Sequence, residues 1–465
     1  MTDIDRARLD YANLLAPHVD GGVDATRLEG DLAVRFRAAW EEVERRRTSG
    51  DMGFLELPGA TEAVAAVKDV ADGFGQWFED VVVLGIGGSG LGAIAVRDAL
   101  LGPFWNERDD EARDHFPRLH VVDNPDPSTF GRLLDRLDPA RTLFNVVSKS
   151  GSTAETMAQY LVARAWVEKT VEADRVRGHF LFTTDPEAGA LRNIAEAEGI
   201  PALSVPRNVG GRFSVLSAVG LLPAAVCGVD VDGLLAGARD MMSRCLEPDL
   251  GGNPGALLAT LLHAADTESG RHVHVLMPYA DRLRSFAFWF QQLWAESLGK
   301  ARALDGSEAH TGPTPLASVG ASDQHSLLQL FIEGPKDKVV LFVSVTDRSD
   351  DLTIPAGHSD IPSLAYLSGH TLGELLDVER RATAEALRRE GRPNATLLVS
   401  RVDAQTLGQL FMLFEMATVY AGALYGVDPL DQPGVELGKR LTYGLMGREG
   451  HEAPDIDDGD PRFIA

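Results

Sequence analysis

Four short runs, VVVLGI (81–86), LHVVD (119–123), LFNVV (143–147) and HFLFTT (179–184), are β-branched, aliphatic and aromatic with little polar alternation. A strand with one face in water alternates polar and apolar side chains, so runs like these belong to strands covered on both faces. Stretches with helical spacing separate some of them, AETMAQYLVARAWVEK (154–169) and PEAGALRNIAEAEG (186–199). Covered strands alternating with helices predict a doubly wound parallel sheet. The alternation then restarts with VHVLMP (273–278), VVLFVSV (339–345) and ATLLVS (395–400). The helices here are DRLRSFAFWFQQLWAESLGK, GHTLGELLDVERRATAEALRREG and AQTLGQLFMLFEMATVYAGALYG. The fold class expected is α/β, with two parallel-sheet units of similar design.

At 465 residues the chain is long enough to bury more than one core. Residues 1–75 carry helical spacing, as in DATRLEGDLAVRFRAAWEEVERRR, and are expected to form a helical segment. The first sheet unit is placed at 76–246 and the second at 257–445, joined by the Gly/Pro-rich EPDLGGNPGA at 247–256, with an acidic tail at 446–465. A formal net charge of −25 argues against nucleic acid or anionic membranes as partners, since both call for basic surface. Any anion site must therefore be locally positive. Cys227 and Cys245 make neither a disulfide framework nor a metal spacing, which suits a reducing cytoplasm. MTDIDRARLDYANLL lacks the basic start and apolar core of a signal peptide, and apolar helical runs are read as broken by Gly or a charge before spanning a bilayer. A cytoplasmic location is expected.

Several stretches could carry chemistry. In VVVLGIGGSGLGAIAVRDAL a strand passes through glycines into a helix, where backbone can approach a ligand and free N–H groups meet an anion. Gly85, Gly87 and Gly90 loosely fit a dinucleotide pattern, with Asp123 as its acid, but sugar-phosphate binding fits equally. NVVSKSGSTAET (145–156) delivers Ser148, Lys149, Ser150, Ser152, Thr153 and Thr156 to a strand end, a set that suits a phosphate monoester or a capped helix start. Arg212, in a Gly-Gly-Arg-Phe-Ser turn before an apolar helix, is awkward unless its charge meets an anion. Gln292 and Glu296 stand four apart in the aromatic FAFWFQQLWAESLGK. Burial there would raise the carboxyl toward values useful for proton transfer, whereas an ion pair with Lys300 on a wet face is the plain alternative. His325 before an apolar helix, and Gln432 and Lys439 around a Pro-Gly turn, complete the set. No Cys/His cluster suggests a metal.

Taken together, GIGGSGLG, SKSGSTAET, VGGRFSVLSAVG, QQLWAES, DQHS and QPGVELGK resemble, in order, blocks of the glucose-6-phosphate isomerase family, from about residue 50 to 445. The resemblance implies two sugar-isomerase (SIS) domains of flavodoxin-like type and a homodimer with shared active sites. It implies that Gly88 and Ser89 contact the sugar, and that Ser148, Lys149, Ser150 and Thr153 bind its phosphate with Thr156 in support. It further implies Glu296 as the base between C2 and C1, Arg212 as stabiliser of the enediolate and Gln292 as a positioning group. His325, reaching in from the other subunit, would assist ring opening, with Lys439 and Gln432 nearby. Gly151 and Pro433 stand where long-form members carry an aromatic residue and Trp.

The residue types suit such chemistry in their own right. Aldose–ketose conversion removes a proton α to a carbonyl, which a placed carboxylate can do if a cation stabilises the enediolate. No redox change occurs, so neither cofactor nor metal is expected. The rival readings are an isomerase that also takes mannose 6-phosphate, a non-catalytic sugar-phosphate sensor, and a nucleotide-dependent dehydrogenase resting on the glycine loop.

Overall fold

The computed structural model describes residues 6–456 and Gly459. Its first sheet has five parallel strands, in the spatial order Arg118–Val122, Asp80–Leu84, Thr142–Ser148, Phe180–Thr184, Ala202–Ser204. Every residue of Asp80–Leu84, Thr142–Ser148 and Phe180–Thr184 is buried, the physical reason these runs lack polar alternation. Each Val, Leu or Phe so covered stabilises by roughly 1.5–3 kcal/mol over its exposed state. Asp80 pairs with both Arg118 and Thr142, so these three strands start in register and release their loops at one edge.

The second sheet repeats the order. Thr314–Ala317, Val273–Pro278, Lys338–Val345 and Asn394–Val399 lie side by side and parallel, and Arg8–Asp10 closes the edge antiparallel to the last of them. Counting the parallel strands alone, in both sheets the second in the chain lies outside the first, while the third and fourth follow on the other side. Connections therefore leave in opposite directions between the first and third strands. A crevice opens there at the strands' carboxyl ends.

Three expectations need adjustment. The segment 1–75 does form helices, Asp31–Ser49 and Thr61–Asp72, but it also supplies the strand Arg8–Asp10. Within 247–256, Pro254 starts the helix Pro254–Ser269 and the Asn253 side chain accepts from the Ala256 N–H, so the Gly/Pro content partly marks a helix start. The helix Ala404–Tyr425 is apolar and long enough to cross a membrane by length and composition, against the reading that every such run is broken. It is instead a core helix: Thr406 through Gly422 is buried, against helices Val231–Cys245 and Pro254–Ser269 among others. The strands Ala202–Ser204 and Thr314–Ala317 are short, half-covered edges with no apolar run to announce them. Of the tail 446–465, residues 457–458 and 460–465 lie outside the described residues, as do residues 1–5.

Candidate active site

Asp80–Leu84 ends in the glycine loop, where Gly87–Ser89 makes a 3-10 turn. This loop packs against a second 3-10 turn, Gly211–Phe213. The approach is so close that a Cβ on Gly88 would lie 2.2 Å from the carbonyl carbon of Gly211 and 2.5 Å from Arg212 N. No side chain fits, which is why glycine stands here.

The same contact fixes the backbone of Arg212, whose side chain is buried and fully engaged. Its Nε donates to Ser297 Oγ at 2.7 Å, and its Nη1 donates to Gln432 Oε1 at 2.7 Å. Nη2 donates to the carbonyls of Pro429 and Asp431 at 2.6 and 2.9 Å. Nη1 also lies 3.4 Å from Glu296 Oε2. Burial pushes the Arg212 pKa down while the carboxylates of Glu296, Asp431 and Asp428 oppose it. The guanidinium starts so high that it keeps its charge.

Helix Arg284–Leu298, which follows Val273–Pro278, presents Gln292 and Glu296 one turn apart. Gln292 Nε2 donates to Glu296 Oε1 at 3.2 Å. Glu296 keeps 33% of its side chain exposed, so partners as well as partial burial meet its charge. Lys300, offered as its ion-pair partner, is buried and donates to the Glu296 backbone carbonyl instead. Glu296 and Gln292 line a cavity of about 570 Å³ with Leu91, Ile94, Asp123 and Phe288. Gln292 Oε1 is buried without a hydrogen-bond partner, an acceptor that a sugar hydroxyl could satisfy.

The Ser/Thr loop after Thr142–Ser148 borders a second cavity, of about 340 Å³. Ile86, Ser150, Thr153 and Glu155 line one part of it, and Lys439 and Thr442 another. Ser148 Oγ and Thr153 Oγ1 are 2.9 Å apart. Helix Ala154–Val167 starts here without a side-chain cap, leaving first-turn N–H groups for an anion. Gly151 has φ +63°, a left-handed conformation that favours glycine over residues with a side chain. The Thr156 hydroxyl is buried and unpartnered beneath the loop. Lys439 makes an exposed pair with Glu436 at 2.7 Å, worth little and easily given up. The glycine loop joins the two cavities: Ile86 lines the smaller, and a Cβ on Gly87 would come within 2.9 Å of Gln292 Nε2.

A carboxylate, a buried guanidinium and a hydroxyl-lined loop thus lie together beside the carboxyl ends of the first sheet's strands. A family model described as phosphoglucose isomerase matches residues 61–458. The chain belongs to the phosphoglucose isomerase family. It is 47% identical over 445 residues to the glucose-6-phosphate isomerase of Rubrobacter xylanophilus, covering 96% of this chain and 99% of that one. A solved structure from Thermus thermophilus, described as hypothetical protein TT0462, is 37% identical with TM-score 0.83, covering 95% of this chain and 100% of the other. A Chlamydia trachomatis glucose-6-phosphate isomerase, 22% identical with TM-score 0.79 over 94% of this chain and 90% of that one, shares the fold.

Two residues of the family blocks have side chains outside these two cavities. The Lys149 ammonium donates to the carbonyls of Arg207 and Val209 at 2.6 and 2.8 Å and lines a third cavity, beside Arg46 and Asp428. Burial pushes its pKa down. Its position makes it a brace for the turn that carries Arg212. His325 is exposed at the end of Ser322–His325 and lines neither of the two cavities of this family site. Ser297, Lys300 and the Asp431 carbonyl were missed, because a neutral hydroxyl, a pairable lysine and a backbone oxygen carry no sequence signal for this role.

Proposed function

We propose that this chain interconverts glucose 6-phosphate and fructose 6-phosphate, as the names of its relatives suggest, with Glu296 as the base. The observation that carries this reading is the Glu296 carboxylate 3.4 Å from a guanidinium whose other donors are all committed to protein. A cation fixed in this way need not reorganise as negative charge grows on the enediolate, the condition under which electrostatic stabilisation is largest.

The substrate's phosphate sits on Ser148, Ser150, Thr153 and the start of Ala154–Val167, with Thr156 behind them and Lys439 across the cavity. The sugar runs past Gly88 and Ser89 to Gln292. Glu296 takes the C2 proton and returns it to C1, while Arg212 holds the enediolate charge. Gln432 keeps Nη1 of Arg212 aimed. Ring opening needs an acid and a base at the anomeric centre, for which Lys439 and His325 are the candidates. His325 arrives from a second copy of the chain in a homodimer, and the enzyme works in the cytoplasm.

The test is conversion of fructose 6-phosphate to glucose 6-phosphate without added metal, in the wild type and in Glu296→Gln. Turnover lost in the variant while 6-phosphogluconate still binds supports the reaction and the base together. A wild type that binds sugar phosphate without turnover would make the protein a sensor.

A further inference from the structure

Helix Arg284–Leu298 stops just after Glu296, so the Glu296 carbonyl has lost the N–H that a continuing helix would give it. Lys300 fills the gap. Its side chain is only 5% exposed and folds back so that Nζ donates to the Glu296 carbonyl at 2.6 Å and to the Asp431 carbonyl at 2.8 Å. The Asp431 carboxylate lies 3.4 Å away, giving three acceptors for three ammonium protons. The Asp431 carbonyl is also the one that Arg212 Nη2 reaches at 2.9 Å. Two buried cations therefore share a single oxygen, one tied to the backbone of Glu296 and the other beside its carboxylate.

We propose that Lys300 is a positioning residue for the isomerisation: by bridging the Glu296 and Asp431 carbonyls it holds the base helix against the turn that aims Arg212. The proposal rests on the reading of Glu296 as the base. Lys300 itself touches no reacting atom. Its effect is on where the carboxylate stands relative to the guanidinium, and small misplacements of reacting groups cost up to about 100-fold in rate.

The experiment compares Lys300→Met, Lys300→Arg and Glu296→Gln, each assayed for kcat, KM and 6-phosphogluconate affinity, with a thermal melt to establish folding. Lys300→Met is expected to lower kcat by roughly 10- to 100-fold with little change in KM or in 6-phosphogluconate affinity. Lys300→Arg, which keeps the charge and can reach both carbonyls, is expected to recover part of kcat. Folded Lys300→Met with wild-type kcat overturns the proposal. So does a loss shared equally between kcat and KM that Arg does not restore, since that marks general disorder. Should Lys300→Met fail to fold, Lys300→Gln retains donors enough for one carbonyl, and wild-type kcat there is equally fatal. Glu296→Gln separates the two readings. If it is dead while Lys300→Met is fully active, only the positioning role falls; if it turns over normally, both fall.

Discussion

Arg212 has a partner on every nitrogen, and that makes it intolerant of its nearest chemical relative. Lysine carries one nitrogen with three donors and no planar fork. Arg212→Lys is therefore expected to lower kcat by about 100- to 1,000-fold, with a lower melting temperature because the Pro429 and Asp431 carbonyls and Ser297 Oγ compete for one ammonium. Steady-state kinetics and a melt check both halves. At Gly88 the argument is steric: a methyl group 2.2 Å from Gly211 carbonyl carbon must push the two loops apart. Gly88→Ala is expected to cost about 1–3 kcal/mol of stability and most of the activity, measured by denaturant melts and assay. That Arg212, Gln292 and Glu296 find polar partners was legible, because charged or amide groups in apolar runs demand them. The turn of the Lys149 side chain toward the Arg207 and Val209 carbonyls was not legible, because a cluster of hydroxyls does not say to which side of the chain a lysine turns.

Among the elements, the helix Ala404–Tyr425 holds an oddity. Glu415 is buried in it, and neither carboxylate oxygen has a hydrogen-bond partner. Burial alone raises its pKa well above the ordinary carboxyl value, so the folded protein holds it protonated. The unfolded chain releases that proton at the ordinary value. The contribution to stability is then complete below about pH 4.5 and is lost as pH climbs toward the raised folded value, at up to about 1.4 kcal/mol per unit. Glu415→Gln removes the ionisation, so its stability advantage over wild type is expected to widen between pH 5 and pH 8; a constant difference in denaturant melts across that range would contradict the assignment. The buried central strands were legible from their unbroken apolar runs. The edge strands Ala202–Ser204 and Thr314–Ala317 were not, since a half-covered strand needs little apolar sequence.

At the scale of the molecule, two features bear on function. His325 is exposed on the surface, so the proposed shared site has a direct test by mixing. Glu296→Gln and His325→Ala, each inactive alone, are expected to yield about a quarter of wild-type activity after subunit exchange, because half the random dimers are mixed and each has one intact site. No recovery after verified exchange would place His325 outside the site of its neighbour. The α/β class and the doubled sheet plan were readable from alternating patterns, whereas the antiparallel strand Arg8–Asp10 on the second sheet was hidden in a segment whose local spacing is helical. The guanidinium of the site follows the last strand of the first sheet, and its carboxylate follows Val273–Pro278, the first parallel strand of the second. The proposed site is thus a two-key lock: each half holds only one member of the pair, and a separation of the two units that parted Arg212 from Glu296 is expected to abolish turnover with every side chain intact.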